Sequence, residues 1–165
     1  MTSLLVSDSI QTIQKSLDLV IQKGRGLSDN VLRWNPSDEE WSIMQILCHL
    51  AEAVPYWLDE IELLLEIPGK DWGRGLQQEA RLEAVKKEKV DSTALSTVLS
   101  ELEYLKTKVE QTLSKLDDEK LALEAPSRNP RFGTKPISFI VDHLLVEHTM
   151  KHLGQIERNL SKINS

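Results

Sequence analysis

Cys48 is the only cysteine in this 165-residue sequence, so no disulfide can form within the chain, and a reducing compartment is the expected setting. No apolar run approaches the ~20 residues that a bilayer-spanning helix needs. Residues 1–8 also lack the basic start and long apolar stretch of a secretory signal. A cytoplasmic protein that engages no membrane is therefore expected. Positive charge is in deficit, with 20 Lys and Arg against 26 Asp and Glu, a net charge of −6. The basic residues are interleaved with acids, as in Glu83-Ala84-Val85-Lys86-Lys87-Glu88-Lys89, which leaves no uniform stripe for nucleic acid. Aromatic residues make up only 5%, and no regular alternation of Val, Ile and Thr suggests a sheet.

Missing motifs exclude several chemistries. A di-iron carboxylate bundle needs Glu three residues before His on two helices. Ile46, Ile140, Leu145 and Thr149 occupy the positions three before His49, His143, His148 and His152. There is no HExxH motif, no P-loop and no Gly-rich dinucleotide turn.

What is present is helical periodicity. Apolar and charged fractions of 40% and 28% are ordinary for a globular protein, and the length suits a single domain over residues 1–165. Four segments carry a helical stripe. The first runs from about Leu4 to Gly24 on Val6, Ile10, Ile13, Leu17, Val20 and Ile21. The second follows Trp41, with Ser42 and Gln45 spaced as a capping box, and ends at Pro68-Gly69. The third begins at Asp91-Ser92 and repeats through Leu95, Val98, Leu102, Leu105, Val109, Leu113 and Leu116, near-heptad spacing for a helix packed lengthwise. The fourth opens near Thr134-Lys135-Pro136, with a stripe of Ile137, Val141, Leu144, Leu145, His148, His152, Ile156 and Leu160. The spacing predicts an all-α four-helix bundle. Its long crossovers, residues 70–90 and 117–133, permit parallel neighbours, and the first has room for a short helix of its own.

Within such a bundle, polar residues on apolar faces are the informative ones, because burial without a partner costs about 1–3 kcal/mol each. His148 and His152 lie one turn apart and about 40° apart around the fourth helix, close enough to share one ion. Gln155 points the same way and suits a donor to a bound ligand or a ring-orienting role. His143 lies about 140–180° from the pair and is expected at the surface. His49, at the border of the second helix's stripe, is the candidate third ligand, and Pro55 six residues on predicts a kink nearby. Three neutral imidazoles favour a transition metal over magnesium or calcium. Glu52 and Tyr56, on the same side as His49, are candidates for moving protons. Cys48 is expected to be a buried inert thiol, and Trp34, Trp41, Trp57 and Trp72 to be packing residues.

Two stretches carry a family resemblance: Trp41-Ser42-Ile43-Met44-Gln45-Ile46-Leu47-Cys48-His49-Leu50 and His148-Thr149-Met150-Lys151-His152-Leu153-Gly154-Gln155-Ile156. The sequence resembles the DinB-like superfamily of four-helix bundles over nearly its whole length. The resemblance implies that His49, His148 and His152 bind a divalent metal, nickel or zinc, and that the protein forms a homodimer. It also implies a metal-dependent transferase or hydrolase acting with a low-molecular-weight thiol, the small-molecule partner expected here, since relatives include thiol-using transferases and an isomerase. A non-catalytic module stabilised by its metal is the alternative. Lys151 departs from the pattern, standing where many relatives carry an additional histidine.

Overall fold

A computed structural model describes residues 4–74 and 79–164. Residues 1–3, part of the segment read for a leader, and residues 75–78, inside the first expected crossover, lie outside the described residues. The long helices follow the apolar stripes. Helix α1, Leu4–Gly24, buries Ile13, Leu17 and Val20 completely. A short helix, α2 (Asp29–Leu32), precedes α3, Ile43–Glu66. Ser42 caps α3 as its spacing predicts: its Oγ accepts from Gln45 N at 3.1 Å, and Gln45 Oε1 accepts from Ser42 N at 2.9 Å. The helix runs unbroken through Pro55.

The first crossover contains two short helices, α4 (Glu79–Ala84) and α5 (Lys87–Asp91). Helix α6, Leu95–Leu113, therefore starts four residues later than the expected Asp91-Ser92, because Asp91 closes α5. After α7 (Asp118–Leu121) comes an element that the pattern does not announce, an antiparallel hairpin of β1 (Glu124–Pro126) and β2 (Thr134–Pro136). Three-residue strands are too short to show a period of two, and prolines at their ends hide them further. Thr134, Lys135 and Pro136 thus form a strand rather than a helical opening. The last helix begins at Ile137, whose N–H reaches Leu123 O at 2.9 Å.

That last helix has three parts: α8 (Ile137–Phe139), a π-helical stretch over Ile140–Glu147, and α9 (His148–Ile163). The wider turn of a π-helix, with its i to i+5 bonds, alters the phase assumed from a 3.6-residue period. Buried positions advance by fours through Ile137, Val141, Leu145 and Thr149, with Ile140 buried beside Val141, and continue with His152, Ile156 and Asn159. Leu144 and Leu160, placed in the stripe by a regular period, are only half-buried.

Helices α1 and α3 each pack against both α6 and α9. Gln14 donates to Lys106 O at 3.0 Å while Gly24 lies against Leu99, so α1 and α6 are antiparallel. Lys108 pairs with Asp59 and Lys115 with Glu62, so α3 and α6 run parallel. Trp41 meets Asn159 and His49 meets His148, so α3 and α9 are antiparallel. The chain therefore runs up, down, down and up, and the crossover after α3 brings it back to start α6 in the same direction.

Candidate metal centre

Helices α3 and α9 present their polar intrusions to each other. His49 and His152 are 3% and 5% exposed, and His148 is half-buried. The Nε2 atoms converge: His148 Nε2 lies 3.1 Å from His49 Nε2 and 2.9 Å from His152 Nε2. All three donor atoms fall within 4.8 Å of one another, the one such His, Cys, Asp or Glu cluster among the described residues. Donors held about 2.0–2.1 Å from one ion lie about 2.9–3.4 Å apart in tetrahedral or octahedral geometry, so the spacings suit shared coordination.

The second nitrogen of each ring shows how firmly it is oriented. His152 Nδ1 is 2.6 Å from Gln155 Oε1, which can only accept. This bond places the proton on Nδ1 and leaves the Nε2 lone pair facing the other rings. The Nδ1 atoms of His49 and His148 are buried with no hydrogen-bond partner. Ring contacts hold these two instead, and all three imidazole pairs meet edge to face at centroid separations of 4.5–5.0 Å. Trp41 roofs the cluster, 5.0 Å from the His49 ring and stacked on His152 at 6.0 Å. Asn159 fixes Trp41 in turn, donating to its carbonyl at 2.9 Å.

Electrostatics keep the rings neutral. Burial, then the adjacent His152 and His148, hold His49 down to about 2. Burial, then His152 and Lys151, hold His148 down to about 3. Burial lowers His152 too, against the opposing pull of its bond to Gln155. At neutral pH all three are lone-pair donors, the state in which imidazole binds metal. With one ring proton each, the neutral imidazoles can pass hydrogen bonds between their Nε2 atoms, or turn those lone pairs together onto a cation.

His49 and His148 open onto a cavity of about 300 Å³. Arg74, Arg81 and Arg131 line it with Asn129, while Trp57, Phe132 and Leu144 give it an apolar side. Trp72 builds the wall that carries Arg74. It is buried, its N–H and carbonyl bond Pro126 and Arg128, and its indole N–H reaches Ala125 O at 2.8 Å, pinning the crossover to the hairpin. Gly73 follows at φ +84°, a left-handed conformation that favours glycine, and its N–H donates to Glu60 at 2.6 Å. The chain turns there and delivers Arg74 against α3. Arg74 Nη2 holds both Glu52 oxygens at 2.7–2.8 Å, and its guanidinium lies 4.0 Å over the Tyr56 ring.

The other expected residues fall out differently. Glu52 is committed to Arg74. The Tyr56 hydroxyl donates to Glu60 at 3.1 Å, and burial with the neighbouring Glu60 carboxylate pushes its pKa up, which keeps it protonated and unsuited to act as a base. Cys48 is buried and its thiol is pushed up to about 11 by burial, the inert state expected of it. His143 is exposed as its phase predicts, bonded to Glu147 at 3.0 Å and stacked on Phe139. Trp41 covers the histidines in addition to packing. Arg74 was not foreseen, because nothing in the pattern of a long connection ties Asp71-Trp72-Gly73-Arg74 to α3.

Comparison with known proteins agrees with this architecture. A family model described as the DinB superfamily matches residues 14–156. Among solved structures, the fold is similar to YfiT from Bacillus subtilis, described as a probable metal-dependent hydrolase with an unusual four-helix bundle topology. The two share 16% identity with a TM-score of 0.83, over 99% of this chain and 90% of YfiT. Among curated proteins, no sequence matches significantly.

Proposed function

The chain belongs to the DinB superfamily, and from that premise we propose that it is a metal-dependent enzyme in which His49, His148 and His152 hold one divalent transition ion, nickel or zinc, through Nε2. Convergence of three neutral Nε2 atoms at 2.9–3.1 Å, one of them oriented by Gln155, carries this reading. Three protein donors leave at least one position open, the arrangement of catalytic rather than closed structural sites. An ion bound there supplies Lewis-acid chemistry, lowering the pKa of a water or small thiol toward neutrality.

The reaction class is hydrolysis, as described for YfiT, or transfer to a low-molecular-weight thiol. The chain's own residues define the rest. Gln155 keeps His152 in one tautomer, Trp41 closes the side of the cluster away from the cavity, and His49 and His148 face the space where a substrate would sit.

Elemental analysis of the purified protein tests the metal. About one nickel or zinc per chain is expected, and His152→Ala should lose it while circular dichroism stays helical. Metal-free protein that takes up neither Ni²⁺ nor Zn²⁺ would overturn the reading. Loaded protein is then assayed against chromogenic esters, and against an electrophile with added thiol, to separate hydrolysis from transfer.

A further inference from the structure

Among the described residues, ten line the cavity beside the histidines, and they include three arginines and no acid, on a chain whose net charge is −6. Arg74 is the most informative of them. It is 8% exposed, and its Nε and Nη1 are buried without any hydrogen-bond partner. A purely structural arginine would spend its fork on the carboxylate beside it. Here Glu52 takes Nη2 alone, with both oxygens, and the Tyr56 ring fixes the guanidinium plane, so the N–H groups of Nε and Nη1 are left unpartnered and closed off from solvent, on a side chain that lines the cavity. Arg81 and Arg131 are exposed and reach the same space. Trp57, Phe132 and Leu144 offer an apolar surface. A volume of about 300 Å³ lies at the lower end of small-molecule sites, so the occupant is compact.

We propose that this cavity is an oxyanion subsite: Arg74, assisted by Arg81 and Arg131, receives a carboxylate or phosphate group on a small organic substrate whose apolar body rests on Trp57, Phe132 and Leu144. The proposal rests on the metal-enzyme reading for the use of the site, since it orients such a substrate beside His49 and His148. Its binding chemistry belongs to the arginines and is measured separately.

The test titrates metal-free and nickel-loaded protein calorimetrically with benzoate, phenyl phosphate and the uncharged benzamide, with metal content measured on the same samples. At least one anion should bind the metal-free protein saturably, about tenfold or more tighter than benzamide, and tightness of benzoate against phenyl phosphate identifies the head group. Arg74→Gln should weaken that anion about tenfold with nickel content unchanged. Should Arg74→Gln fail to fold, the Arg81→Gln/Arg131→Gln double variant at exposed positions should weaken it about threefold to fivefold. Equal binding of benzamide and benzoate overturns the proposal. So does anion binding that requires nickel and is unchanged in every arginine variant. Anion binding by a protein that takes up no metal would sink the metal reading and leave the subsite standing.

Discussion

Helices α6 and α9 both line the same core, yet they do so by different rules. Every buried residue of α6 except Thr112 is Val or Leu, at near-heptad spacing. All but one of the residues that α9 buries are polar: Thr149, His152 and Asn159, with Ile156 alone among them apolar. Helix α9 also follows a π-helical stretch, and Thr149 Oγ1 donates back to Leu145 O at 2.6 Å within that junction. Of these two helices, α6 is scaffold alone, while α9 carries the site that it shares with His49 of the largely aliphatic α3. One obtains its stability from uniform aliphatic burial, while the other gives some of that up to hold polar atoms where a ligand can meet them.

Four substitutions or conditions would break or sharpen this contrast. The largest effect is expected in the scaffold: Leu102→Ala, at a fully buried position, should cost about 2–5 kcal/mol in denaturant unfolding and leave metal stoichiometry unchanged. Acid comes next and acts on the site helices. His49 and His148 are held at about 2 and 3 in the fold, against an ordinary value near 6.5 when unfolded. Because the unfolded chain then binds more protons, stability of the metal-free protein is full above about pH 6.5. It falls below that by about 1.4 kcal/mol per pH unit for each such histidine. Chemical denaturation between pH 7.5 and about pH 5 measures this, and His49→Gln should flatten the slope.

Gln155→Leu should lower nickel or zinc affinity about 10–100-fold in competition with a chelator, with little change in the melting temperature of the metal-free form. The smallest effect is expected from Thr149→Val. It keeps the side chain's shape, removes one buried hydrogen bond and should cost about 1 kcal/mol. A metal affinity that also collapsed there would show the π junction to be coupled to the site rather than merely beside it.

The contrast also explains what could be read from the sequence. Periodicity located the four long helices, with α1 bounded at Leu4 and Gly24 and α3 capped at Ser42. Polar residues interrupting an apolar stripe pointed to His49, His148 and His152, which the structure brings together. Both signals are local, and local signals fail where tertiary contacts decide. A regular 3.6-residue phase carried across Ile140–Glu147 placed Leu144 in the stripe, where the π turn leaves it half-buried, while Thr149 and Asn159 escaped because a stripe of apolar residues does not register polar ones. The hairpin is stabilised by Trp72 from another part of the chain, so its short strands carry no pattern of their own. Arg74 was hidden for the same reason, since its place depends on Trp72 docking and on the turn at Gly73.

The separation of His49 and His148 along the chain, 99 residues, has a consequence for how the protein matures. Contacts so distant in sequence form late, after the loop between them has closed. During synthesis His49 emerges long before its two partners, so a growing polypeptide offers an ion only a single imidazole from this cluster. An ion held by all three imidazoles, as proposed above, would therefore be loaded only after the last helix has docked, and would mark a molecule whose two distant segments have already met.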